Sequence, residues 1–396
     1  MPVHPSRLML LVGSLTLVWG GASERAWAQS PPPVWQGEYA GSLTDAAGRA
    51  CWTGLQVVPQ GKGEYLGVEL AGGLPGNRWN MRDRHEAVGR AEGTPKLVLA
   101  SAAHKYEVDG WQVRVTDLQG KPVGTLRRYL RSSQTLGAPP PANAIVLFSG
   151  GATSELKNAR ITPEGLLQVG CETTRSYRDF CLHVEYRTPL MPEARGQARG
   201  NSGVYLQGRY EVQILDSFGL VSQNNDCGSL YKQRPPLLNM SFPPETWQTY
   251  EIDFQSARFD PQGNKTEPAR LTVWHNGIKI HKNVELTGKT GAGAAEGPDP
   301  RPIKFQDHGD KVLYRNLWIV EKQPVTTPAS GANPRWSAWC AGRGEVRPPG
   351  LRGAIRAWRD AGGLRRPARG GPTPPPGPAT AHAPRWPPCG RSSSRG

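Results

Sequence analysis

Helical periodicity is nearly absent from this chain of 396 residues, no stretch reaches the roughly eighteen apolar residues needed to span a bilayer, and no C-x-x-C pair marks a zinc site. The first scarcity leaves an all-β reading, and the second leaves the mature chain without a transmembrane segment. The glycines of residues 193–203 have no strand-Gly-helix context and no G-K-[ST] after them, so they do not read as a phosphate cradle. Lysine is missing altogether from residues 335–396, where twelve Arg face only Glu345 and Asp360 and supply +10 of the net +15. A nucleic-acid surface would want that charge on a folded face or among interleaved aromatics, whereas this segment is rich in Pro and Gly and low in complexity. Residues 323–396 therefore read as a disordered tail, an unstructured extension or a GC-rich frame translated past its proper course. Deleting everything after Thr327 is expected to leave the cooperative melt and any activity unchanged, because ordering the tail costs about 1–2 kcal/mol per residue with few large apolar side chains to offset it. A truncated protein that lost its cooperative transition would contradict this.

What is present is ordinary globular material, 37% hydrophobic and 20% charged, long enough for two domains. Residues 1–28 read as a secretory signal: Arg7 precedes an apolar core from Leu8 to about Trp19, and Ala26-Trp27-Ala28 is an A-x-A cleavage site. Export to the periplasm or beyond is the expectation. No cysteine follows the cleavage site, which argues against a lipid anchor there. An oxidising compartment permits disulfides among the six cysteines. Spacing does not fix the pairs, but Cys171 and Cys181 flank a short connection between strand-like runs and could bridge neighbouring strands.

Residues 35–131 alternate short strand candidates with glycine turns, among them WQGEYAGSL, ACWTGLQVV, EYLGVEL, KLVLAS, YEVDGWQVRV and VGTLRRYL. This suits a small antiparallel sandwich or barrel acting as an accessory module or a spacer. His85 and His104 lie here without spaced partners and read as surface residues. Residues 132–142, SSQTLGAPPPA, read as a stiff, extended linker. Further on, Asn276-Gly277 between alternating strands demands a type I′ hairpin, with His275 and His281 beside it as structural or exposed residues.

The densest chemistry lies in residues 200–219, GNSGVYLQGRYEVQILDSFG. With Gly208-Arg209 as a two-residue loop, Leu206 faces Glu211 and Val204 faces Gln213, while Tyr205, Val212 and Ile214 share a buried face. Glu211 and Gln213 then stand side by side on a polar face, and Asp216 needs a bulge to join them. Residues 193–203 would loop over the rim of such a groove. Lys232 reads equally as a surface lysine or as a charge able to stabilise an enolate. In KFQDHG, Phe305 packs inward if Gln306 faces the groove, and Asp307 beside His308 could hold the imidazole's tautomer.

Taken with CGSLYKQ (residues 227–233), WQTYEIDF (247–254), the PAR…HNG segment (268–277) and FQDHG…YRNLW (305–318), the hairpin resembles the 3-keto-disaccharide hydrolase family over residues 143–322. The resemblance implies a concanavalin-like two-sheet antiparallel jelly-roll sandwich, preceded here by the small all-β domain, and activity on sugars oxidised at carbon 3. It makes Glu211, His308 and Lys232 the expected catalytic residues, and Asn201, Gln213, Asp216, Gln306 and Asp307 the expected substrate contacts. No cofactor is required by this reading, although Glu211, Asp216 and His308 could share a divalent metal. Two other readings stay open. A lectin-like module would use Trp247, Trp274 and Trp318 as stacking platforms. An ordinary glucanase would need a carboxylate pair, and Glu211-x-Gln213-x-x-Asp216 has an amide in the middle of that motif.

Overall fold

The computed structural model describes residues 35–91 and 96–322. The segments read as a secretory signal, 1–28, and as a tail, 323–396, lie outside the described residues. Within them the chain is all-β, and no helix is long and apolar enough to cross a membrane.

Eight antiparallel strands, β1 (Gly37–Thr44), β2 (Ala50–Gly61), β3 (Glu64–Ala71), β4 (Arg84–Arg90), β5 (Leu97–Ala100), β6 (His104–Val108), β7 (Gln112–Asp117) and β8 (Pro122–Arg128), close into a barrel. β1 pairs with β8 through Tyr39 and Arg128, so no edge is left unpaired. The period of two expected from the sequence holds: Leu97, Leu99, Val113 and Val115 point inward while Val98 and Arg114 face solvent. β4 escaped the sequence reading because only Ala87 of its seven residues is buried, which leaves no apolar alternation to see.

The remaining strands form two larger sheets and a ribbon. β10 (Leu156–Lys157), β12 (Cys171–Thr173), β21 (Lys304–Phe305), β14 (Ser202–Leu206) and β15 (Tyr210–Ile214) make a five-stranded sheet in that order. The seven-stranded sheet runs β11 (Leu167–Gln168), β22 (Leu313–Glu321), β13 (Phe180–Arg187), β16 (Gln248–Gln255), β19 (Arg270–His275) and β20 (Ile278–Glu285), with β9 (Ile145–Phe148) also on β22. β17 (Arg258–Phe259) and β18 (Lys265–Glu267) pair separately. Both large sheets contribute to one hydrophobic cluster, in which Val204, Leu206, Val212, Ile214 and Phe305 meet Leu182, Val184, Tyr250, Ile252 and Val273.

Several expectations need correction. Residues 133–138 are not a free spacer but lie against the outer face of the seven-stranded sheet. The Ala138 carbonyl accepts from Asn316 and from the Trp318 indole, and Ser133 bonds Thr249. Cys171 is a free, buried thiol, so it does not bridge to Cys181: the first lies on β12 of the five-stranded sheet and the second on β13 of the other. Trp247 and Trp318 are buried, the former beneath the Arg315 guanidinium and the latter stacked on His183, so neither offers a stacking platform. The Asn276-Gly277 turn is as expected, with φ of 51° and 80°. His275 and His281 beside it are buried, and burial pushes them down to about 3 and about 4, so both are neutral structural groups.

Candidate active site

The hairpin of β14 and β15 turns one residue earlier than its sequence suggests. Gln207 and Gly208 are the central residues, at φ 54° and 59°, and Arg209 N donates to the Leu206 carbonyl at 3.0 Å. Gly208 thus fills the second positive-φ position of a type I′ turn instead of the first position of a II′ turn. Arg209 stays in the loop as a third, unpaired residue, so Leu206 pairs with Tyr210, Tyr205 with Glu211 and Gly203 with Gln213. A slip of one residue turns β14 over relative to β15. Val204 and Leu206 enter the core with Val212 and Ile214, while Tyr205, expected in the core, joins Glu211 and Gln213 on the polar face.

Tyr205 thereby joins the candidate site, a neighbour of Glu211 that sequence reasoning missed. Its hydroxyl donates to Glu211 Oε2 at 2.7 Å. Gly203 lies under the same carboxylate, where an added Cβ would meet Glu211 Oε1 at 2.4 Å, so only glycine leaves room. The Gln213 amide, with its nitrogen toward Glu211, donates to Oε1 at 3.1 Å and to the Ser202 carbonyl at 2.7 Å; its oxygen then faces the Gln197 amide at 2.9 Å. Thr290, from the loop after β20, accepts the Glu211 N–H at 2.6 Å, and Tyr231 N donates to the Glu211 carbonyl. The segment 228–231 also pairs with the outer edge of β15, through Val212 and Leu230.

Under these covers Glu211 is only 3% exposed, and burial pushes its carboxyl up to about 7, against the opposing pull of the Tyr205 hydrogen bond. Across the same face runs a row of paired positions. Glu172 on β12 stands opposite Lys304 on β21, Lys304 opposite Tyr205, and Tyr205 opposite Glu211. Lys304 is exposed, so the face opens from the buried Glu211 end toward β21. Beyond Lys304 a shallow cleft of about 580 Å³ is lined by Asn158, Arg160, Gly170 and Asp307 among others.

The other expected residues divide into two groups. Asn201 joins the site: it is buried, its amide donates to the Gln197 carbonyl at 2.7 Å, and its Oδ1 lies 3.4 Å from the Gln213 amide. Gln306 N donates to the Gly203 carbonyl, and its buried Oε1 has no partner among the described residues. Lys232 is exposed over the Tyr231 ring, 5.5 Å from its centroid. Asp216, by contrast, is engaged elsewhere. Its Oδ2 accepts from Arg199 Nε at 2.7 Å, and both side chains are buried. Asp307 bonds Arg160 at 2.9 Å and the Gly309 N–H, so it does not hold the imidazole of His308, which is exposed. Among the described residues no group of three His, Cys, Asp or Glu side chains is placed to hold a metal ion, and Glu211, Asp216 and His308 do not form such a set.

None of the curated proteins matches the chain. A structure from Parabacteroides distasonis described as a "putative glycosyl hydrolase" is 31% identical, over 46% of this chain and 85% of that one, with a TM-score of 0.43. A second from the same organism, described in the same words, is 17% identical over 46% of this chain and 95% of its own, with a TM-score of 0.35. A third is 20% identical over 45% and 99%, with a TM-score of 0.33. The 3-keto-alpha-glucoside-1,2-lyase-like domain matches residues 161–320, the segment that holds the hairpin, the 228–231 cover and β21. Over residues 161–320 the chain therefore carries a domain of the 3-keto-disaccharide hydrolase family.

Proposed function

We propose that the chain is an exported enzyme that cleaves the glycosidic bond of 3-keto glycosides, with Glu211 as the base. The observation that carries this is a carboxylate buried on the polar face of the five-stranded sheet and held near neutrality at about 7, where a general base is most effective. Two sheets around one core are also what a concanavalin-like jelly-roll sandwich would present. A ketone at carbon 3 acidifies the carbon-2 proton. Glu211 takes that proton, and the C–H electron pair becomes an enolate on the carbon-3 oxygen. The enolate collapses back to the ketone, forms a double bond between carbons 1 and 2, and expels the carbon-1 oxygen, which takes up a proton. Water then adds across the double bond, so the net change is hydrolysis. Lys232, next to Tyr231, is the proposed partner of the enolate oxygen, and His308, two residues past Gln306, the proposed donor to the departing oxygen. Asn201, Gln213 and Gln306 are the proposed contacts to sugar hydroxyls.

The test is incubation with a 3-keto glucoside and with its unoxidised parent. Turnover of the keto compound alone is expected. Cleavage of the parent would return the glucanase reading, which the Arg199-bound Asp216 does not favour, and binding without turnover would return the lectin reading.

The rate should also report the base. kcat/KM on the keto substrate is expected to rise with pH through about 7, as Glu211 loses its proton. Tyr205→Phe removes a hydrogen bond that favours the charged carboxylate, so the acid limb of the profile should move to higher pH. A limb that stayed in place would remove Tyr205 from the site.

A further inference from the structure

We propose that the barrel is the outer wall of the active site and that Glu193 and Arg195 are positioning residues that couple it to Glu211. The proposal rests on Glu211 being the functional carboxylate. The β2–β3 turn of the barrel meets the loop that carries Gln197. Lys62 N donates to Glu193 Oε1 at 2.8 Å, Arg195 donates to the Gln60 carbonyl at 2.5 Å, and Arg199 reaches the Pro59 carbonyl at 3.4 Å. Three contacts, all to backbone at the end of β2 and in the turn after it, dock this loop. On the other side of Asp216, Arg84 of β4 donates to the Gly219 carbonyl at 2.8 Å, and Val58 packs where a Gly219 Cβ would lie. The barrel therefore grips the chain on both flanks of the Arg199–Asp216 pair.

From that loop the contacts continue inward. Gln197 accepts from Asn201 through its own carbonyl, and its side-chain amide lies 2.9 Å from the oxygen of the Gln213 amide. Gln213 in turn donates to Glu211. A continuous path of contacts, through the loop backbone and the Gln197 and Gln213 amides, thus joins the barrel to the carboxylate, and releasing the loop removes the neighbour that holds the Gln213 amide in place. The other groups around Glu211 are Tyr205 from β14, Tyr231 and Thr290 from the covering loops, and Tyr314 of β22, which acts on its charge at longer range. None of them depends on the Glu193–Arg199 loop.

Glu193 and Arg195 are exposed, so removing their side chains should change the thermal midpoint little. The test follows the Glu211 carboxyl by carbon-13 NMR titration in the full chain, with Glu211→Gln to assign its signal. In Glu193→Ala/Arg195→Ala the midpoint is expected to move up, since a donor to the carboxylate is lost, and kcat/KM at pH 6 to fall about three- to tenfold. Glu193→Gln keeps an acceptor for Lys62 N–H and should behave as the parent. Glu193→Ala alone serves if the double variant does not fold. A midpoint unmoved by loss of the contacts, or moved as far by Glu193→Gln, would overturn the proposal. The titration needs no substrate, so it decides the coupling even if the parent protein proves inactive on 3-keto sugars.

Discussion

Replacing Glu211 by Gln is expected to lower kcat/KM on a 3-keto glucoside by about 10²-fold or more, the usual worth of a general base, while making the protein harder to unfold above pH 7. The two effects have one cause. The folded protein holds the Glu211 proton up to about 7, against an ordinary value of 4.5. Between those values the native state binds a proton that the unfolded chain has released, so stability falls as pH rises through this window. Above it the buried charge costs on the order of 3 kcal/mol, from about 1.4 kcal/mol per pH unit. Gln carries no such charge and keeps an acceptor for Tyr205. Urea unfolding at pH 5 and pH 8 checks this. The variant should gain on the parent at pH 8 and lose that advantage at pH 5, and an equal change at both values would mean that Glu211 is not strained by its charge. His308→Asn is the companion measurement. His308 is exposed, so its replacement should cost rate with little change in the unfolding midpoint.

The second large effect is expected at the buried ion pair beside the site. Arg199→Met leaves Asp216 buried without its cation and removes the donor to the Pro59 carbonyl. Breaking a pair of this kind typically costs about 3–5 kcal/mol. Burial already pushes Asp216 upward, against the pull of Arg199, so without Arg199 its carboxyl will hold a proton to higher pH still. The loss should therefore be greatest at neutral pH and shrink as the solution is acidified. Adding Asp216→Leu to Arg199→Met should recover most of the stability, because two apolar groups need no partner. Denaturant unfolding of both single variants and the double variant gives the coupling. Simple additivity would show that the two charges do not support each other.

Much of the architecture was written in local pattern. The period-two alternation of the barrel strands, the Asn276-Gly277 turn and the inward Phe305 follow from side-chain spacing and from the φ angles that Gly and Asn tolerate, and these are short-range properties. Glu211, Gln213 and Asn201 were legible for the same reason, as polar residues in or beside an otherwise apolar hairpin. β4 was not legible, since a strand with one buried residue carries no hydrophobic period.

The sequence by itself determined the all-β class, the presence of the hairpin and the resemblance to a family whose domain matches residues 161–320. Tertiary structure decided which side chains surround the carboxylate. One residue of register, set by a loop of Gln207, Gly208 and Arg209, moved Tyr205 from the core to Glu211. Covers from residues 228–231 and from Thr290 raised the carboxyl toward neutrality. Asp216 was lost to Arg199, and Asp307 to Arg160, because a carboxylate takes the strongest donor within reach and that donor comes from a distant part of the chain. Desolvation and ion pairing are summed over neighbours in space, and no spacing along the chain encodes them.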